Sequence, residues 1–317
     1  MNKMKRMNHA AHWAAQQERG NRWFLRLTTW LVRYLPAFLM NPCIAFVVGY
    51  FYATSPKPRR HIAHYQALLR QHFPEVCLPK RGAVFRQFVA FGEAICDRFA
   101  VWQRKIRYED LVLEDPDDVY ALIGNRALRG QIFVCSHVGN IEICRALVSH
   151  HQGFKLNVLV HSHHAQAFNE ALEKAGADRI QLIQVMDLDA ALMMELHQRI
   201  NAGEWLAIAA DRVPVRGEKT VAVSFLGAEA QMPQGAWLLA GLLKTQVHTL
   251  FCIKHHGCYH LKLRRFLDST DWKRGERQAA VAAAAQGFAD VLAQECAKHP
   301  LQWFNFYDFW KVEQNDG

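Results

Sequence analysis

Acidic side chains are almost missing from the first 60 positions of this 317-residue chain, where Glu18 stands alone against ten Lys or Arg. That stretch carries the whole formal net charge of +9, and positions 61–317 balance at 28 basic and 28 acidic residues. A charge-balanced body with no motif of base-reading or stacking residues excludes a nucleic-acid reader; the basic pI belongs to one segment. Cysteine pairs are lacking too. The eight Cys fall singly with no C-x2-C spacing, which excludes zinc-ribbon ligation. With no cleavable signal pattern, they read as free thiols in a reducing compartment. Internal repeats and low-complexity tracts are also lacking.

No long apolar run goes uninterrupted. Tyr34–Ala53 is uncharged over twenty residues, but Pro36 and Pro42 fall inside it. About 20 helical residues span a bilayer, and proline disfavours an unbroken helix. A single span beneath a cytoplasmic body would also leave seven basic residues outside, against the positive-inside rule. The expectation is a monotopic or re-entrant hairpin bent near Pro42, with Lys and Arg on anionic headgroups and Trp23, Trp30, Tyr34 and Tyr50 at the interface. Residues 1–60 are then a membrane-anchoring segment, and 61–317 a body long enough for one large core.

Within that body the periodicity predicts helices over 61–73, 84–102, 115–128, 165–175, 190–201, 237–244 and 279–297. Strands are expected up to His137, then over 156–161, 205–209, 221–225, 249–253 and 260–264. Alternation of this kind implies an α/β fold, a mixed, mainly parallel sheet flanked by helices. Ligand chemistry then belongs at strand C-terminal ends, where His137 and Arg212 both fall.

The densest chemistry is in Ser136-His137-Val138-Gly139-Asn140-Ile141-Glu142. His137 and Glu142 are five positions apart, and on one helix they would point about 140° away from each other. Across a strand–turn–helix corner, Glu142 can accept one imidazole N–H and leave the other nitrogen to take a proton. His137 is thus the candidate general base and Glu142 its orienting carboxylate, with no nucleophile between them. Gly139 permits the unusual backbone angles of the corner. Asn140 is placed to cap the helix, with backbone N–H groups nearby to hold an oxyanion. Asp211-Arg212 end a buried-looking strand, a costly place for charge unless it is paired or functional. Arg212 suits a phosphate, a phosphopantetheine arm or an oxyanion; a structural Asp211–Arg212 ion pair is the plain alternative. His161 and His163 share a strand face but lack a third ligand, so no metal is expected. An acyl-cysteine at Cys135 is disfavoured.

These residues resemble the H-x4-D/E signature of the lysophospholipid acyltransferase superfamily, in the form of its bacterial lipid A late acyltransferase branch. Three further blocks are similar in order and spacing: Ala209 to Pro214, then Phe225-Leu226-Gly227 with Pro233-Gln234-Gly235-Ala236-Trp237, and Pro300 to Phe306. The resemblance implies a glycerolipid acyltransferase-like fold at the cytoplasmic face of the bacterial inner membrane. It implies an O-acyltransferase that needs no cofactor beyond its acyl thioester co-substrate, with acyl carrier protein favoured over coenzyme A as donor. The acceptor would be a hydroxyl of a lipid or glycolipid, and branch members extend to other lipids, including those of aryl-polyene-type pigment clusters. Gly139, Asn140, Asp211, Arg212, Phe225, Gly227, Pro233 and Gly235 would bind substrate or shape its cleft. Arg264, Arg265, Lys273 and Arg274 are the candidates for docking a carrier protein. A thioesterase-like hydrolase and a non-catalytic lipid-binding protein on the same scaffold are the rival readings.

Overall fold

The computed structural model describes residues 37–125, 127–160, 180–184, 189–213 and 220–310. Three helices come first: α1 (Ala37–Thr54), α2 (Pro56–His72) and α3 (Ala83–Trp102). Helix α1 includes Pro42 within its run. Its Ile44, Val48 and Tyr52 pack against Phe85 and Phe88 of α3, and tertiary packing of this kind outweighs the lost backbone bond. Residues before 37, with most of the expected basic flank, lie outside the described residues. Pro56 opens α2, a position that needs no amide hydrogen, and the helix continues across the division expected at residue 60. Among the described residues no helix is long and apolar enough to cross a membrane.

Beyond α3 the chain builds a seven-stranded sheet. In chain order its strands are β1 (Leu111–Glu114), β2 (Ile132–Gly139), β3 (Leu156–Val160), β4 (Ile180–Gln184), β5 (Trp205–Ala209), β8 (Gln246–His255) and β9 (Cys258–Asp268). The spatial order is β1-β9-β8-β2-β5-β3-β4. β8, β2, β5, β3 and β4 are mutually parallel; β9 returns antiparallel to β8, and β1 pairs parallel to β9. The mixed, mainly parallel sheet expected from the sequence is therefore present. Its central strands are buried on both faces, as their unbroken apolar runs require. Along β2, Ile132, Val134 and Val138 enter one core while Phe133 and Cys135 enter the other. The first core holds α5 (Ala190–Asn201), α6 (Gly235–Leu243) and α7 (Arg277–Lys298); the second holds the short α4 (Arg145–His150).

Several expectations need correcting. The strand expected over 221–225 is β6 (Thr220–Phe225), but it leaves the main sheet and pairs only with β7 (Ala228–Pro233) as a hairpin. The helix expected from Asp115 to 128 is a single 3₁₀ turn, Tyr120–Leu122. Both Asp115 carboxylate oxygens are spent on the Val119 and Tyr120 amides, which closes a turn instead of starting a helix. The helix expected over 165–175 and the histidines 161, 163 and 164 lie outside the described residues.

Candidate active site

His137 sits near the C-terminal end of β2, where the strand leaves its register with β8. Cys135 pairs with Leu250 and Gly139 with Cys252, so four steps along β2 oppose two along β8. A bulge of this kind re-aims side chains and recurs next to active sites. The slot between the splayed strands is filled by the C-terminal segment. Gly139 N–H donates to the Gln302 carbonyl at 2.9 Å, and Phe304 N–H donates to that of His137 at 2.9 Å. On the other side, the Gln302 side-chain amide accepts from Lys254 N–H at 3.0 Å and donates to the Lys254 carbonyl at 2.7 Å. Gln302 thus supplies two hydrogen bonds to the β8 backbone at Lys254.

Asp211, two residues beyond β5, is the partner that holds His137. Its Oδ1 lies 2.7 Å from His137 Nδ1, and its Oδ2 accepts the His137 backbone N–H at 2.8 Å and Trp303 Nε1–H at 3.2 Å. Asp211 is fully buried. Burial pushes its carboxyl up, but the His137 imidazole, by charge and hydrogen bond, and Arg212 together hold it below the usual carboxylate range. An ionised partner at Nδ1 keeps the proton there and leaves Nε2 as the basic nitrogen. The His137 side chain is one-third exposed (33%), enough for a substrate hydroxyl to reach it.

Glu142 does not take the orienting role expected of it. It lies in the 3₁₀ turn Ile141–Cys144, and its Oε2 accepts Arg145 Nε–H at 2.6 Å and Trp102 Nε1–H at 3.4 Å. Burial raises its carboxyl, but the charges of Arg145 and Arg98 outweigh that and hold it low. The 3₁₀ winding and the nearby guanidinium turn the carboxylate along α4 instead of back to β2. It ties the corner to the end of α3.

Gly139 has φ of +73°, and a Cβ there would meet the Cys252 carbonyl oxygen at 2.0 Å. The glycine therefore serves close approach of β8's own backbone. Asn140 stands at the N-cap position of the 3₁₀ turn but makes no side-chain cap bond; its side chain donates to the Ala94 carbonyl of α3 at 2.8 Å. The backbone amides of Gly139 and Asn140 are both spent on carbonyls, so neither is spare for an oxyanion. Arg212 donates to the Phe304 carbonyl at 2.6 Å. Cys135 is buried beneath the site, with its thiol pushed far up by burial. The Ser136 hydroxyl accepts the Val138 N–H. Neither is positioned as a nucleophile.

Of the hairpin residues, Phe225 is buried against the Trp303 ring at 5.3 Å, one contact behind Asp211. Gly227 takes the left-handed turn between β6 and β7, Pro233 ends β7, and Gly235 opens α6. Arg264 and Arg265 pair across to Thr249 and His248, level with Val134 and Phe133. They lie three or four residues from His137, roughly 10–13 Å back along the strand. Arg264 and Arg265 are thereby set back from His137 along the sheet, because β9 runs antiparallel to β8. Lys273 and Arg274 follow β9 in the chain. Among the described residues no group of His, Cys, Asp or Glu could hold a metal.

A cleft of about 370 Å³ opens beside Gly139 and Asn140, walled by Ala90 and Ala94 of α3 and by Leu301 and Phe304. Trp303, which the sequence placed only within a C-terminal block, links this wall to the buried carboxylate. Trp303→Phe keeps the packing and removes the indole donor. It is expected to lower kcat about tenfold and to cost about 1 kcal/mol of stability, read by steady-state kinetics and urea unfolding.

The family model of the bacterial lipid A biosynthesis acyltransferases matches residues 7–312, nearly the whole chain. No curated protein matches the sequence.

Proposed function

Since the chain belongs to the bacterial lipid A biosynthesis acyltransferase family, and is thereby an acyltransferase, we propose that it moves a fatty acyl group from a thioester directly onto a hydroxyl of a lipid or glycolipid, with His137 as general base. The observation that carries this is the His137–Asp211 pair at the C-terminal edge of the parallel strands, with no nucleophile beside it. The acceptor O–H gives its proton to His137 Nε2 while the oxygen attacks the thioester carbonyl. The tetrahedral oxyanion then collapses, the C–S bond breaks, and the departing thiolate takes the proton back from the imidazolium. Asp211 stabilises the imidazolium throughout, and Arg212 adds positive charge beside the reacting carbonyl. Glu142 positions the corner through Arg145.

The donor in this reading is an acyl carrier protein, with coenzyme A second. The enzyme works at the cytoplasmic face of the inner membrane. Supporting that placement, α1 leaves Phe46 82% and Tyr50 62% exposed, and Lys57, Arg59 and Arg60 follow at the start of α2. An apolar helix face next to cations suits an anionic lipid surface.

The test is transfer by detergent-solubilised enzyme from radiolabelled acyl carrier protein to a total membrane lipid extract. Wild type is expected to yield a labelled lipid that His137→Ala does not. Label appearing only as free fatty acid would replace transfer with hydrolysis.

A further inference from the structure

Two polar side chains stand where apolar packing alone would do. Gln66 and Gln87 are 1% and 0% exposed, on faces whose buried members include Ile62, Tyr65 and Leu69 of α2 and Phe88 of α3. A leucine or methionine would fill either place without taking an amide out of water. The amides instead run end to end. Gln66 Nε2–H donates to Gln87 Oε1 at 2.9 Å. Gln87 Nε2–H donates to the Trp303 carbonyl, 216 residues further along the chain, at 2.7 Å. A carbonyl only accepts, so Gln87 must turn its nitrogen to Trp303 and its oxygen to α2. Gln66 holds it in that orientation.

The residue at the far end of this relay is the one whose indole reaches the dyad. Trp303 Nε1–H meets Asp211 Oδ2 at 3.2 Å, the long end of the range for such a bond, so a small displacement of the ring would lose it. Tyr65 of α2 also touches Trp303, with ring centroids 4.8 Å apart, and donates its hydroxyl to the Pro300 carbonyl at 3.2 Å. Phe225 and Phe309 stand 5.3 and 5.1 Å from the same ring. Ring contacts tolerate centroid separations of about 4.5–7 Å, whereas a hydrogen bond to a carbonyl tolerates about 2.7–3.2 Å. Gln87 therefore sets the place of Trp303 more closely than its aromatic neighbours do.

We propose that Gln87, oriented by Gln66, is a positioning residue for the reaction: it fixes Trp303, and through the indole the Asp211 carboxylate that holds His137. The inference rests on the acyl-transfer reading for what the dyad does. The N-terminal helices thereby act on the chemistry without touching the substrate, through one backbone carbonyl of the C-terminal segment.

Two readouts on the full chain in detergent test this, and one of them needs no turnover. In enzyme labelled with nitrogen-15 at its indoles, the Trp303 resonance is identified by its loss in Trp303→Phe, and Gln87→Met should displace it. In steady-state transfer, Gln87→Met should lower kcat about tenfold, the size expected of one hydrogen bond, with KM within about twofold of wild type. In a Trp303→Phe background the same substitution should lower kcat no further, because the indole through which it acts is gone. Pairing Gln66→Leu with Gln87→Met removes both buried amides, so the pair should regain melting temperature over Gln87→Met alone and still keep the low kcat. Thr245→Val breaks a buried bond to the Gly130 carbonyl just before β8 and should lose stability with kcat intact. A kcat that recovers together with melting temperature in the paired variant would make the glutamines structural and overturn the proposal. So would an unmoved Trp303 resonance, or losses in kcat from Gln87→Met and Trp303→Phe that multiply. Label released only as free fatty acid, at a rate that falls in the same variants, would overturn acyl transfer and keep the positioning role.

Discussion

Asp211→Asn is expected to slow acyl transfer about 10³- to 10⁴-fold while the protein still folds. An amide cannot hold the Nδ1 proton as a carboxylate does, so His137 loses both its tautomer and the stabilisation of its imidazolium, an effect of this size in dyads of the same logic. Glu142→Gln provides the contrast. It disturbs the ion pair with Arg145 at the corner, so rate and thermal stability should fall together. The two variants therefore separate an orienting carboxylate from a packing one, read as kcat against melting temperature. Asp211 also leaves a mark on stability. Its carboxyl is depressed in the folded protein, so the stability it contributes is present above the ordinary carboxylate value near 4. That contribution is lost as pH falls through the lower folded value. Urea midpoints between about pH 5 and pH 2 should fall steeply in wild type and less steeply in Asp211→Asn. Equal slopes would mean that another carboxylate carries the acid sensitivity.

Gly139→Ala is the second variant with a large expected effect. A methyl group would stand 2.0 Å from the Cys252 carbonyl oxygen, on a backbone already at φ +73°. Left-handed strain alone costs about 1–2 kcal/mol. The clash is with backbone on a central strand, which cannot swing aside as a flexible side chain would. A loss of about 3 kcal/mol or more is expected, enough to show as a large drop in urea midpoint or as failure to accumulate folded protein. A soluble variant with wild-type stability and reduced transfer would instead place Gly139 against the substrate.

Much of the architecture was legible in the sequence because the signals are local. The strand Trp205–Ala209 and the helix Ala190–Asn201 fall where periodicity and flanking glycine put them. The short edge strand β1 and strand β4 were missed, since four- and five-residue segments carry little period. The site was legible in composition but not in pairing. His137 and Asp211 were both singled out, yet His137 was matched with the carboxylate nearest in sequence. Which carboxylate is near in space depends on β2 and β5 being neighbours in the sheet, although β3 and β4 lie between them in the chain. Spacing cannot reveal that. Likewise, Arg264 and Arg265 look close to a site only until the antiparallel turn of β9 carries them away from it.

The slot between β2 and β8 has a consequence for how the protein comes into being. Both members of the dyad leave the ribosome some 90 residues or more before Gln302 and Trp303, the residues that close the slot and cradle the buried carboxylate. A chain that stops before residue 300 lacks the Trp303 donor to Asp211 and the Gln302 bonds to β8, although the two His137–Asp211 hydrogen bonds involve neither residue.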